Sequence, residues 1–178
     1  MAKKEGDVIF IIAPHPDDEV LCCGGTIKIK MESGFKPKII YMTDGREAFS
    51  YVLRIKNNPT PSELAEIRKE EAKKVAKILG LKDEDLIFLG FPDRKLNRYI
   101  EEATEKLYKL FMKFKPIEVY CSDLIDSHPD HRASFEILMN VISKLPYIRI
   151  PERIFTYVIW GRKKNQIELG GFESTRIM

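Results

Sequence analysis

Short apolar, β-branched runs alternate along the chain with longer stretches whose apolar positions recur every three or four residues. The runs VIFIIAP (8–14), KIIYMT (38–43), LIFLG (86–90), EVYCS (118–122) and RIFTYVIW (153–160) predict strands. Leu64, Ile67, Ala72, Val75, Ala76 and Leu79 trace one helical face. That helix opens at the capping box TPSE, from Thr60 to Glu63 with Pro61 in its first turn, and closes at Gly80. Ile100, Ala103, Leu107, Leu110, Phe111 and Phe114 trace a second face, stopped by Pro116, and Phe135, Leu138, Val141 and Ile142 a third. Strand–helix alternation with nearly continuous apolar strands predicts an α/β fold: a three-layer, Rossmann-like arrangement whose mostly parallel sheet of about five strands is flanked by helices. No internal repeat or linker interrupts this pattern, so a single domain over residues 1–178 is expected.

Two places break the apolar logic. IIAPHPDDEVLCCGG (11–25) runs from a strand into a helix through His15, Pro16 and three acids, Asp17, Asp18 and Glu19. SHPDH (127–131) repeats that layout after the strand ending near Ser122. The chain has three histidines in all, and every one lies in these two turns. A carboxylate at a helix start is favoured by the dipole and can cap free N–H groups, which accounts for one of the acids. It does not account for three acids beside a histidine. Both turns follow strands, so both are expected at the carboxyl edge of the sheet, where open α/β sheets bind ligands. Two imidazoles and a carboxylate suffice for an open catalytic zinc site, with Asp18 three residues after His15 and His131 as the third donor. A further acid would then serve as base, and the spacing alone leaves iron or manganese open.

Bulk properties add little. Thirty basic against 27 acidic residues give a net charge of +3, no reason to expect a nucleic-acid partner. No apolar run approaches the roughly 20 residues of a membrane span, and MAKKEGD makes a poor signal peptide. Three cysteines, two of them adjacent, lack a C-x-x-C spacing and read as small buried thiols in a reducing cytoplasm. The stretch from Asp44 to Pro61 is the longest irregular candidate, and it falls at the same sheet edge.

With PHPDDE (14–19) and HPDH (128–131) in place, the chain resembles the LmbE-like, PIG-L superfamily of zinc-dependent de-N-acetylases, which includes archaeal diacetylchitobiose deacetylases. Weaker matches are TDGRE (43–47), Arg68 to Glu71 and LGFPDRKL (89–96), and the likeness covers about residues 7–160. The resemblance implies one Zn2+ per chain held by His15, Asp18 and His131, with Asp17 as general base for a zinc-bound water. It implies that His128, protonated, stabilises the oxyanion and passes a proton to the leaving amine. Asp126 stands two residues before His128, where some relatives place a tyrosine, which would leave His128 and zinc most of the stabilising work. The implied activity is hydrolysis of the linear amide of an N-acetylglucosamine-type sugar or conjugate.

Arg68, Asp93 and, more weakly, Arg46 match positions near the family's sugar subsite, although Arg68 also lies in a charged helical run and Asp93 in a turn. Tyr157 and Trp160 are candidates for stacking on a sugar or for the core, and Glu19 for a helix-start or supporting acid. In the family the C-terminal portion helps build the pocket and, in some members, a homo-oligomer. Here the chain stops after GGFESTRIM, which shows no clear helix or strand, so a short member or one lacking that extension is expected. The competing expectations are a metal-dependent phosphoesterase, which usually wants two metals and more ligands, and an inactive sugar- or metal-binding relative. The intact set of His15, Asp17, Asp18, His128 and His131 argues against the latter.

Overall fold

The computed structural model describes residues 6–48, 59–163, 166–169 and 176–177. Strand β1 (Val8–Ala13) leads into helix α1 (Asp18–Glu32), and β2 (Lys36–Thr43) is followed by α2 (Pro61–Leu79). Then come β3 (Leu86–Phe91), α3 (Ile100–Phe114), β4 (Glu118–Ser122), α4 (Pro129–Lys144) and β5 (Arg153–Tyr157). Short strands β6 (Trp160–Lys163), β7 (Gln166–Leu169) and β8 (Arg176–Ile177) complete the chain.

The main sheet has the order β3-β2-β1-β4-β5-β8. Its first five strands are parallel, and β8 joins β5 antiparallel. The α/β fold with a mostly parallel sheet is thus as the sequence predicts. The strand β8, in a segment that reads as structureless in sequence, is the difference; two residues are too few to leave a periodic signal.

β1 shows why the sheet is buried on both sides. Phe10 and Ile12 point into one core with Leu107 and Phe111 of α3 and Ile137 and Val141 of α4. Ile9, Ile11 and Ala13 point into the other with Ile27 of α1 and Ala72 and Ala76 of α2. Truncating a fully buried leucine such as Leu107 to Ala costs about 2–5 kcal/mol. The helix α2 begins as its sequence dictates: Thr60 N–H donates to Glu63 Oε2 at 2.8 Å, and Glu63 N–H returns to Thr60 Oγ1 at 3.4 Å. It ends with Gly80 at φ 91°, a left-handed cap that glycine adopts without a Cβ penalty.

From β1 the chain moves outward to β2 and β3 on one side, and from β3 it crosses to β4 and β5 on the other. β1 and β4 therefore flank the point where strand order reverses, and a crevice opens beyond their carboxyl ends. His15 follows β1 and His128 follows β4, so topology alone brings the two histidine turns together.

Tyr157, a candidate for sugar stacking, is core instead: its hydroxyl is buried and donates to Ile12 O at 2.7 Å. The predicted strand 153–160 divides, because Ile159 and Trp160 give their N–H groups to the Asp126 carboxylate rather than to a sheet partner. Cys23 and Cys121 are buried and Cys22 half-buried, all as free thiols. Among the described residues no helix is long and apolar enough to cross a membrane.

Candidate metal centre and active-site cleft

Three donor atoms form a nearly equilateral triangle at the floor of the crevice. His15 Nδ1 lies 3.2 Å from Asp18 Oδ2, His131 Nε2 lies 3.3 Å from Asp18 Oδ2, and the two ring nitrogens are 3.3 Å apart. Tetrahedral ligation at about 2.0 Å spaces donors about 3.3 Å apart, so this donor set fits a small divalent ion without rearrangement. All three side chains are buried.

The far sides of both imidazoles are held by carboxylates. His15 Nε2 is 3.1 Å from Asp93 Oδ1 and 3.3 Å from Asp130 Oδ2. His131 Nδ1 is 3.0 Å from Asp126 Oδ2. Such partners fix which ring nitrogen carries the proton and leave the other lone pair directed inward. His15, Asp93 and Asp130 also group closely enough to suggest an ion site, as do the three histidines. The carboxylates of the first group are already engaged, since Asp130 accepts N–H bonds from Arg94 at 2.5 Å and Leu96 at 3.1 Å and Asp93 accepts one from Glu47 at 3.0 Å. They support His15 from behind. Asp130 escapes sequence reading because its HPDH position resembles a helix-start acid. Asp126, which sequence marks only as an acid in place of a tyrosine, is buried against His131 and supports a candidate ligand.

The electrostatics follow from this packing. Burial alone would pull His131 down, but the Asp18 charge and the carboxylates of Asp126 and Asp18 against its two ring nitrogens outweigh it and lift the ring to about 9. His15 is also raised well above its ordinary value, burial being overcome by Asp130, Asp18 and Asp93. Asp18 is held far below the usual carboxylate range: burial opposes this, and the two histidines prevail. Burial pushes Glu19 up to about 7, and its Oε2 accepts the Asp17 N–H at 3.0 Å, a supporting position.

Asp17 occupies the N-cap position of α1 at φ 127°, strained for a residue with a Cβ, and its side chain makes no cap bond. Neither it nor Asp18 is an ordinary capping acid. Its carboxylate turns into the crevice, 2.7 Å from Arg68 Nη2. Its side chain stays 58% exposed; partial desolvation and then the Asp18 charge push its pKa up, against the pull of Arg68. Arg68 also donates to Gly45 O at 3.0 Å and to Pro16 O. Gly45 has φ +66°, and a Cβ there would stand 2.6 Å from Arg68 Nη1, so the close approach needs glycine.

In the metal-free protein burial, then the positive charges of His15 and His131, hold the His128 ring down to about 3. Its Nδ1 accepts the Asp130 N–H at 3.2 Å, which assigns the ring proton to Nε2. Arg94 Nη1, a donor only, stands 3.4 Å from Nε2, so in this tautomer the two are neighbours and not hydrogen-bonded.

The cleft above the triangle is lined by Asp17, Glu47, Arg68, Arg94, His128 and Trp160 among others. The structure thus gathers His15, Asp17, Asp18, Arg68, Asp93, His128 and His131. Asp93 spends its carboxylate on His15 and on the Glu47 N–H, a supporting placement. Arg46 is not brought to the cleft: it pairs with Asp44 in a neighbouring depression, Nε to Oδ2 at 2.7 Å. Trp160 is half-buried, packed against the core on one side and forming a wall of the cleft on the other. Of the Asp44–Pro61 stretch, residues 44–48 place Glu47 and Ala48 at the cleft, while 49–58 lie outside the described residues.

The family model PIG-L, described as GlcNAc-PI de-N-acetylase, matches residues 10–142. Diacetylchitobiose deacetylase of Thermococcus kodakarensis is 30% identical over 170 residues, covering 94% of this chain and 60% of that protein. A probable N-acetyl-alpha-D-glucosaminyl L-malate deacetylase 2 of Bacillus anthracis is 28% identical over 174 residues, covering 91% of this chain and 70% of that protein. Among solved structures, N,N'-diacetylchitobiose deacetylase from Pyrococcus horikoshii superposes with a TM-score of 0.74 at 28% identity, covering 86% of this chain and 61% of that one. The chain thus spans 60–70% of the length of these relatives.

Proposed function

The chain belongs to the PIG-L (LmbE-like) family of deacetylases, and we propose that it is a zinc-dependent hydrolase that removes the acetyl group from an N-acetylglucosamine-type sugar or conjugate. The observation that carries this is the triangle of His15 Nδ1, Asp18 Oδ2 and His131 Nε2, with edges of 3.2, 3.3 and 3.3 Å, lying beside Asp17. Two imidazoles and one carboxylate suit zinc and leave a coordination position for chemistry. The acyl substrate is inferred from the deacetylases named above.

Zinc, when bound, would polarise water and the acetamide carbonyl and offset the developing negative charge. The remaining work falls to the chain. Asp17, steadied by Arg68 and lifted in pKa, takes the proton of the attacking water at its carboxylate and is placed to return it to the departing nitrogen. His128 presents Nε2–H to the cleft as a hydrogen-bond donor for the carbonyl oxygen as charge builds there. Trp160 offers an aromatic wall and Arg68 and Glu47 polar groups for sugar hydroxyls.

The test is to offer the zinc-loaded protein diacetylchitobiose and, separately, a phosphomonoester. Acetate without phosphate supports the proposal. Phosphate without acetate would transfer the site to the phosphoesterase class.

A further inference from the structure

Asp126 is a heavily used carboxylate near the cleft, and its partners lie on both sides of the metal-site boundary. Its side chain is fully buried. Oδ2 faces His131 Nδ1 at 3.0 Å and also accepts the N–H groups of Ile159 at 2.8 Å and Trp160 at 3.1 Å. Oδ1 accepts the His128 N–H at 2.8 Å. Ser127 N–H adds a bond to Trp160 O at 2.9 Å, so the loop before α4 is stitched to the segment after β5. One oxygen is therefore shared between a candidate metal ligand and the backbone that carries an aromatic wall of the cleft.

We propose that Asp126 is a positioning residue that couples occupancy of the His15–Asp18–His131 site to the placement of Trp160. The inference rests on the metal-site reading above and extends it to how the cleft wall responds to the ion. An ion on Nε2 would withdraw electron density from the His131 ring and leave Nδ1–H more positive toward the Asp126 carboxylate 3.0 Å away, a charge contact rather than an aligned hydrogen bond. That draws on the Oδ2 atom that also anchors Ile159 and Trp160. The anionic carboxylate in turn makes the imidazole a better ligand, so the coupling is reciprocal. An amide cannot reproduce it. Asp126 accepts at both oxygens, whereas Asn has one acceptor and would point an NH2 at an N–H group.

The chain contains a single tryptophan, so its emission reports Trp160 alone. Metal-free wild-type protein is titrated with Zn2+ against a chromophoric chelator of known affinity while tryptophan emission is recorded. The coupling predicts an emission change that saturates with the first equivalent of zinc. In Asp126→Asn, zinc affinity falls about 10–100-fold, and the emission change shrinks even at saturating metal. Glu118→Gln is the control for a merely structural effect. Glu118 is a fully buried carboxylate held by Lys30 and Arg153, away from the cleft; its loss lowers melting temperature without altering zinc affinity. A folded Asp126→Asn protein that binds zinc as tightly as wild type would overturn the coupling alone. Should that variant fail to fold, the wild-type titration decides: zinc binding with no change in Trp160 emission overturns the coupling. A wild-type protein that binds no zinc removes the metal reading and this inference with it.

Discussion

Arg68 Nη2 lies 2.7 Å from Asp17 Oδ2, while the same guanidinium donates to the carbonyls of Gly45 and Pro16. An arginine from α2 thus clamps two loops and the candidate base together, and the strained φ of Asp17 is held by that clamp and by Glu19. Arg68→Lys keeps the charge but loses the fork. Acetate release should drop about 10–100-fold with zinc content unchanged, because a base misplaced by about 1 Å costs that much. Equal loss of zinc and activity would show that Arg68 only maintains the fold.

Gly45→Ala tests the same clamp from the other side. The new Cβ would meet Arg68 Nη1 at 2.6 Å at a backbone φ of +66°. Thermal melts should show a loss of about 1–3 kcal/mol, with activity falling alongside. A variant with wild-type stability and turnover would mean that the guanidinium shifts freely.

The roles of the paired acids separate by metal content. Asp17→Asn should retain zinc and lose most amide hydrolysis, whereas Asp18→Ala and His131→Ala should lose the metal as well. Metal analysis beside acetate assays reads both. Full activity in Asp17→Asn would remove that residue from the mechanism.

Protons compete with metal at this site. In the metal-free protein His131 is raised from 6.5 to about 9 and His15 is raised too, so both carry protons near neutral pH. A raised pKa favours the protonated folded state. The metal-free protein should therefore lose stability as pH climbs from 6.5 through about 9. Zinc affinity should move the opposite way, rising over that window, with about two protons released per ion at pH 7. Calorimetry in two buffers of different ionisation enthalpy measures the release. No proton release would mean that the histidines are not the ligands.

Arg46 provides a negative test. It pairs with Asp44 outside the cleft, so Arg46→Ala should leave kcat/KM within about twofold, as expected of a surface ion pair. A large rise in KM would place Arg46 at the substrate after all.

Much of this was readable from sequence because it rests on local chemistry. Apolar runs marked the strands, Thr60 and Gly80 bounded α2, and the two H-P-D turns marked the edge where ligands bind. What escaped depends on long-range partners. Asp130 looks like an ordinary helix-start acid until β1 and β4 stand side by side and the back of His15 meets it, and Asp126 like a loop acid until Ile159 and Trp160 reach it. The break after Tyr157 could not be seen from an unbroken apolar run, since Asp126, distant in sequence, takes the N–H groups that would extend the strand. The lowered pKa of His128 likewise arises from burial, from His15 on another segment and from His131 one helical turn away.

The most direct test is to strip the protein of metal and add back zinc in steps while measuring acetate released from diacetylchitobiose. Acetate release should be absent without zinc, rise with each addition and level off near about one zinc per chain. Acetate release that is unchanged by stripping, or none at any zinc level from this sugar or from N-acetylglucosamine conjugates, would contradict a zinc deacetylase built on His15, Asp18 and His131.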